Sequence, residues 1–289
     1  MSTSNADSHP NIVPTVAALR AQVENWRQQG LTISFAPTMG ALHKGHLSLV
    51  TRGKSIADRT IASIFVNPKQ FAPGEDLATY PRDHASDVAQ LEKAGCDLVY
   101  LPNKDEIYPP GYQTSVTVTA LSDGLCGTSR PHFFGGVATV VCKLLNQCRP
   151  DFAIFGEKDF QQLLIIKRMV RDLDMDIEVV GAPIVREPDG LAMSSRNAYL
   201  GDEERKIAGF LNVVLQRAAE KIQSGENIED VLFDARQELE NHGFDDLDYF
   251  EVRSSEDLTP IEKGKLKTSA RLFAAAMVGK TRLIDNWPI

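Results

Sequence analysis

From residue 31 onward, short apolar runs alternate with longer stretches whose apolar positions recur at helical spacing. The runs at 31–36, 60–66, 97–101, 151–155 and 176–180 are β-leaning and predominantly apolar, without the strict alternation of a half-exposed strand. Between most of them the pattern predicts helices at about 45–57, 83–94, 136–147 and 160–172. Predominantly apolar strands joined by helices imply an α/β fold, a doubly wound parallel sheet covered on both faces. The segment "YQTSVTVTA" alternates with period two and suits an exposed or edge strand, with side chains available to a subunit interface. Near residue 184 the character changes. "REPDGLAMSSRN" reads as loop, two long helical patterns follow at about 202–224 and 228–242, and "DDLDYFEVRS", "RLFAAAMVG" and "TRLIDN" read as short antiparallel strands. The expectation is two domains: residues 1–184, carrying the parallel sheet, and a smaller C-terminal α+β domain over residues 185–289. There are no internal repeats and no low-complexity segment.

Composition narrows the classes. At 289 residues, 43% hydrophobic and 24% charged, the chain is ordinary globular material. A formal charge of −8 argues against a protein that coats nucleic acid, because phosphate backbones are held mainly by Lys and Arg. It leaves room for a small anionic ligand held by a few local donors. No apolar run approaches the roughly 20 residues needed to span a bilayer, so no membrane is expected. The opening "MSTSNADSHPNI" is polar, lacks a hydrophobic signal segment and reads as a frayed or tag-like start. Cys96, Cys126, Cys142 and Cys148 form no close pair, which disfavours a disulfide framework or a four-thiolate zinc site. Cys142 and Cys148 read as small core residues, and the whole as a reduced, cytoplasmic protein.

Chemistry concentrates in "FAPTMGALHKGHLSLV", where the chain leaves its first apolar run of this repeat. In a doubly wound sheet a ligand sits at the carboxyl ends of the strands, where the helix N-termini point. Gly40 and Gly45 allow close approach of backbone and ligand, and the amides opening the helix favour an anion. His43 and His46 can donate to phosphate oxygens whose charge grows during displacement. Either histidine alone would read as a surface residue; the two together in this corner do not. A zinc site would need a third ligand, and the motif contains no carboxylate or cysteine.

H-x-G-H after this strand resembles the signature of the nucleotidyltransferase superfamily, which includes class I aminoacyl-tRNA synthetases, and "MSSRN" resembles the loop that forms the second half of that pattern. With "SIFVNPKQF", "FGEKDFQQLLIIKRMV", "REPDGLAMSSRN" and "TRLIDN", the chain from about residue 12 to 287 resembles the pantoate–β-alanine ligase family in the same order. The resemblance implies a Rossmann-like fold of the HIGH-type nucleotidyltransferases and ATP-dependent condensation of (R)-pantoate with β-alanine through a pantoyl adenylate, in a homodimer formed through the N-terminal domain. The "MSSRN" loop lies just past the domain boundary, so the C-terminal domain is expected to act as a lid. Mg²⁺ is expected because the leaving diphosphate carries more charge than Lys158, Arg196 and two histidines can neutralise.

By the family's pattern Met39, Gly40, Ala41, Leu42, His43, Lys44, Gly45 and His46 line the ATP site, with His46 as proton donor and His43 along the phosphates. Gly156, Glu157, Lys158 and Asp159 match a second ATP segment, Lys158 being the cation for the α-phosphate. Met193, Ser194, Ser195 and Arg196 match a third, suited to β- and γ-phosphate oxygens, and Val185 matches a backbone contact. Gln70 and Gln162 match the glutamines that bind pantoate; each offers donor and acceptor to a substrate with hydroxyls and a carboxylate. No ligand residues for a metal follow from the pattern.

The chain departs from the family at Lys69, where an apolar residue is usual, and in "RPHFFGGV", where His132 stands one position early and Phe133 occupies the usual histidine position. A non-catalytic nucleotide sensor of the same fold would be expected to lose Lys158, His46 or the Ser-Ser-Arg loop, and all are present. The alternative is a nucleotidyltransferase that adenylylates a small metabolite without a ligation step; the paired glutamines and second domain favour the ligase. No basic or anticodon-binding extension supports a tRNA synthetase.

Overall fold

A computed structural model describes residues 10–72, 74–75 and 77–289. In chain order the elements are β1 (Asn11–Val13), α1 (Val16–Gln28), β2 (Ile33–Thr38), α2 (Lys44–Lys54), β3 (Arg59–Ile64), α3 (His84–Lys93), β4 (Leu98–Tyr100), α4 (Lys104–Ile107), α5 (Cys126–Ser129) and α6 (Phe133–Cys148). They continue with β5 (Phe152–Gly156), α7 (Phe160–Asp172), β6 (Glu178–Ala182), α8 (Asp202–Gln223), α9 (Ile228–Asn241), β7 (Asp246–Ser254), β8 (Ala270–Val278) and β9 (Thr281–Pro288). Residues 1–9, most of the expected frayed start, lie outside the described residues. Asn11 and Ile12, counted with that start, instead form β1, which pairs in parallel with β4. The repeat expected from residue 31 therefore begins earlier. Thr15 caps α1 through its side chain, and Leu19, Val23 and Trp26 are buried on one face of it.

The chain divides into two compact units. The first comprises Met1–Thr117, Gly135–Phe155 and Met169–Ala182; the second comprises Val118–Phe134, Gly156–Arg168 and Pro183–Ile289. The second unit is thus not one contiguous stretch, unlike the expected C-terminal domain.

In the first unit the strand order is β1-β4-β3-β2-β5-β6. The β1–β4, β4–β3, β3–β2 and β2–β5 pairs all run parallel. Ile33, Phe35, Ile61, Leu98, Val99 and Ile154 are fully buried, as a sheet covered on both faces requires. Two of the buried polar positions, Ser34 and Thr60, satisfy each other across adjacent strands with hydroxyls 2.9 Å apart. Gly53 lets α2 pack down on that spot, since a Cβ there would stand 2.5 Å from the Ser34 hydroxyl. The strand order reverses between β2 and β5, so their carboxyl ends mark the place where open α/β sheets take ligands.

The expected edge strand at 113–120 does not form. Residues 112–118 carry no strand pairing; instead the N–H of Val116 donates to the Thr139 hydroxyl of α6 at 2.9 Å, and the Val116 carbonyl accepts from the same hydroxyl at 3.4 Å. A side chain has taken the backbone groups that a ladder would have used.

In the second unit β7, β8 and β9 form an antiparallel sheet in that order, and α8 and α9 share its core through Leu211, Leu215, Leu239, Phe250 and Leu272. The two earlier segments belong to this unit for identifiable reasons. The Tyr249 hydroxyl lies 3.2 Å from the Cys126 thiol, and Arg282 donates to the same sulfur at 3.5 Å. Gln161 donates to the carbonyls of Leu121 and Gly124 at 3.1 Å each and accepts from the N–H of Cys126 at 3.2 Å. The Phe160 ring lies 6.0 Å from that of Phe273.

Candidate active site

The sequence-predicted residues divide between the units: Met39 to His46 and Gln70 in the first, and Gly156 to Asp159, Gln162, Val185 and Met193 to Arg196 in the second.

In the first unit the chain turns after Thr38 through two consecutive left-handed residues, Gly40 (φ 84°) and Ala41 (φ 51°). The Thr38 hydroxyl donates to the Ser63 carbonyl at 2.7 Å and accepts from the N–H of Gly40 at 3.3 Å. Asp87, 2% exposed in the first turn of α3, accepts from the N–H of Ala41 at 3.1 Å and of Leu42 at 2.9 Å. A Cβ on Gly40 would stand 2.8 Å from the Asp87 carboxylate, so this glycine makes room for a protein carboxylate. The Ala41 and Leu42 amides are therefore spent on shaping the corner, and a nucleotide would have to be met by other groups.

His43 then caps α2 from an extended conformation, its Nδ1 accepting from the N–H of Gly45 at 3.1 Å. A backbone amide can only donate, so Nδ1 carries no proton and Nε2 does. The His43 ring presents a donor at Nε2 even when neutral. The His46 ring lies 4.1 Å from it between centroids, tilted by 38°.

Asn67, 1% exposed, follows β3 and opens the short 3-10 turn Pro68–Gln70. Its side chain donates to Gln70 Oε1 at 2.8 Å and accepts from the Tyr108 hydroxyl at 2.8 Å. Lys69 finds an aromatic setting: its ammonium lies 4.8 Å from the centroid of the Tyr108 ring and 4.4 Å from that of Tyr112. The cation that looked out of place in the sequence is thus held on two π faces.

In the second unit Glu157–Asp159 form a 3-10 turn that runs directly into α7. Two strand residues hold this turn. Asn286 Nδ2 donates to the carbonyls of Glu157 and Lys158, each at 2.9 Å, and its Oδ1 accepts from Arg271. Arg271 also pairs with the Glu157 carboxylate at 3.0 Å and lies over the Phe160 ring at 4.0 Å. Burial lowers the Arg271 guanidinium below its ordinary range, and Glu157 works against that shift. Asp285 is bound by both Arg186 guanidinium nitrogens at 2.6 and 3.0 Å; burial nonetheless pushes its carboxyl above the usual range.

Val185 and the Met193 loop are neighbours through a tight hairpin. The N–H of Met193 donates to the Val185 carbonyl at 3.0 Å, and Arg186 bridges to Ala192. Ser194 caps the 3-10 turn Ser195–Tyr199, its hydroxyl accepting from the N–H of Arg196 at 3.3 Å. Met193 is buried, while Ser194, Ser195 and Arg196 are half-buried. Gln162 is half-buried, whereas its neighbour Gln161 is buried and committed to the 121–126 loop. At the altered "RPHFFGGV" stretch His132 is exposed, and Phe133 lies 3.9 Å under the Arg130 guanidinium.

The sequence reading left out Asp87, Arg186, Arg271 and Asp285 and gave Asn67 and Asn286 no role. For Asp285 and Asn286 the signal was polarity at positions the periodicity assigns to the interior, an Asp-Asn pair inside the apolar strand "TRLIDN". Among the described residues, no three His, Cys, Asp or Glu side chains gather closely enough to hold a metal ion, and no helix is long and apolar enough to cross a membrane.

Residues 11–288 match the family model described as Pantoate-beta-alanine ligase. The chain is 54% identical over 276 residues to a pantothenate synthetase of Paramagnetospirillum magneticum, covering 96% of each chain. It is 50% identical over 281 residues to one from Caulobacter vibrioides, covering 97% of this chain and 99% of that one. The fold is similar to the crystal structure of pantothenate synthetase from Thermus thermophilus, with TM-score 0.90, 44% identity and coverage of 96% and 98%. It is also similar to a pantoate-beta-alanine ligase from Francisella tularensis complexed with beta-gamma ATP and beta-alanine, with TM-score 0.81, 33% identity and coverage of 96% and 97%.

Proposed function

The chain belongs to the pantoate–beta-alanine ligase family, and on that premise we propose that it condenses (R)-pantoate with β-alanine to pantothenate through a pantoyl adenylate, consuming ATP and releasing AMP and diphosphate. In the first step a pantoate carboxylate oxygen bonds to the α-phosphorus, the bond from that phosphorus to the bridging oxygen breaks, and diphosphate departs with the electron pair. In the second, the neutral amine of β-alanine attacks the acyl carbon, the carbon–oxygen bond to AMP breaks, and the amine nitrogen loses a proton. No protein nucleophile is required, so catalysis rests on positioning and charge.

The observation that carries this reading is the His43 cap, which leaves the proton of the neutral ring on Nε2 at the start of α2, beside the His46 ring. His43 and His46 donate to phosphate oxygens, with His46 as proton donor. Lys158 stabilises charge developing at the α-phosphate. Ser194, Ser195 and Arg196 serve the β- and γ-phosphates, Gln70 and Gln162 hold pantoate, and Met39 to His46, Gly156 to Asp159, Val185 and Met193 complete the nucleotide's surroundings. Magnesium would arrive with ATP rather than in a cluster of the described side chains, and would supply further neutralisation of the leaving diphosphate. The named relatives support ligation; none of those described above is named for adenylylation alone.

Labelled pyrophosphate should exchange into ATP with pantoate and Mg²⁺ alone, and β-alanine should then discharge the intermediate as pantothenate and AMP. Formation of ADP and phosphate would overturn the adenylate route. The protein is further proposed to work in the cytoplasm, a reading supported by its four free thiols, and as a homodimer, an expectation from the sequence resemblance; a monomer in sedimentation at micromolar concentration would refute the dimer.

A further inference from the structure

The orientation of the Asn67 amide follows from two backbone groups that each have a single capability. The N–H of Lys69, 3.3 Å away, can only donate, so it faces Asn67 Oδ1; the carbonyl of Gly136, 3.1 Å away, can only accept, so it faces Nδ2. Gly136 is essential to that approach, since a Cβ there would stand 2.1 Å from the Lys69 carbonyl. With Oδ1 assigned, the Tyr108 hydroxyl at 2.8 Å must be the donor; with Nδ2 assigned, the Gln70 atom at 2.8 Å must be its carbonyl oxygen. Burial raises the Tyr108 phenol far above its ordinary range, so its proton is present throughout the neutral range. Lys69 lies over the Tyr108 ring, and Tyr108 is 7% exposed, which restricts the movement of the hydroxyl.

We propose that Tyr108 is a positioning residue that acts through Asn67 to fix the polarity of Gln70, so that Gln70 meets pantoate with its NH2 and reads an acceptor oxygen, a carboxylate oxygen or a hydroxyl lone pair. The proposal rests on the reading of Gln70 as a pantoate-binding residue. Without the Tyr108 donor, Asn67 loses one of the two groups that hold its oxygen side, and the Gln70 amide is freer to turn its carbonyl toward the substrate, where oxygen would meet oxygen.

Steady-state kinetics on a short variant series tests this. Tyr108→Phe keeps the ring beneath Lys69 and deletes only the hydroxyl; the KM for pantoate should rise about tenfold, the scale of one net hydrogen bond, while the KM values for ATP and β-alanine and the melting temperature change little. Asn67→Asp keeps the acceptor for Tyr108 and Lys69 but can donate neither to Gln70 nor to the Gly136 carbonyl, so it should raise the pantoate KM further and lower the melting temperature. It carries the test if Tyr108→Phe does not fold. In a Gln70→Ala background, neither substitution should raise the pantoate KM again. Additive effects in that background would overturn the proposal. If Gln70→Ala alone left the pantoate KM unchanged, the underlying assignment would fall and the proposal with it; a raised KM for Gln70→Ala combined with a wild-type value for Tyr108→Phe would overturn the proposal alone.

Discussion

Two strand-to-helix corners carry most of the proposed chemistry, and they are held in opposite ways. The corner at Gly40–His43 is fixed by a single carboxylate, Asp87, only 45 and 46 residues farther along the same sheet-and-helix repeat. The turn at Glu157–Asp159 is fixed by Asn286 and Arg271, which lie 114 to 129 residues away on the antiparallel sheet of the second unit. The first corner borrows its support from the next helix of an ordinary βαβ succession; the second has to wait for the end of the chain. Local support leaves a readable motif, whereas remote support leaves polar residues inside a strand with no visible purpose until the sheet is built.

The largest effects should come from the charged groups that these corners present. His46→Ala and Lys158→Ala should each slow pantoate-dependent pyrophosphate exchange by roughly 10²- to 10³-fold, the usual result of deleting one preorganised donor. Pantoate affinity should change much less. Single-turnover adenylation near wild type in either variant would remove that residue from the mechanism and leave its corner without a chemical role.

Next in size is the remote clamp. Asn286→Ala removes the donor for two carbonyls and the acceptor for Arg271, at a side chain 1% exposed. Unmade buried hydrogen bonds of this kind cost about 2–3 kcal/mol together, and the Lys158 backbone should lose its placement. Asn286→Asp keeps an acceptor for Arg271 but cannot donate to the carbonyls, so it separates the two duties. Denaturant melts combined with exchange rates would show this; a stable Asn286→Asp with wild-type exchange would mean the carbonyl contacts do not position Lys158. The local clamp should matter somewhat less. Asp87→Asn can accept through one oxygen only, so one of the Ala41 and Leu42 amides loses its partner, at about 1–2 kcal/mol. Both the melting temperature and the KM for ATP should register it, and an unchanged ATP KM would separate the clamp from the nucleotide site.

The same contrast explains what could be read from the chain. The parallel sheet, its helices and the three C-terminal strands follow from periodicity, because each buries a face whose residues are consecutive or nearly so. Segments 118–134 and 156–168 join the second unit through Cys126 with Tyr249 and Arg282, and Glu157 with Arg271, contacts that no local window contains. The alternation at 112–120 is not matched by strand pairing, and at Val116 the Thr139 hydroxyl takes both backbone groups. Lys69 looked out of place as a cation and is accommodated because two tyrosines separated by four positions supply π faces. The corner motif itself was legible as H-x-G-H, but the duty of its amides was not, because Asp87 reads in sequence as one more polar residue at a helix start.

The smallest effect tests a third kind of support, a cap contained within its own turn. Ser194 accepts from the N–H of Arg196 two residues on, so neither a neighbouring helix nor a distant strand is needed to shape that loop. Its oxygen being the acceptor there, its proton is left to donate elsewhere, which suits a phosphate oxygen. Ser194→Ala should cost only about 0.5–1 kcal/mol of stability, the lower part of the range for losing a cap. Ser194→Asp offers a stronger cap acceptor but brings a negative charge with no proton to donate, so the two roles move in opposite directions. Stability should be retained in the Asp variant while the KM for ATP rises well beyond that of the Ala variant, because like charges then meet at the phosphates. If the Asp variant bound ATP as well as the wild type, Ser194 would be a cap and nothing more, and the phosphate-facing role of this loop would pass to Ser195 and Arg196.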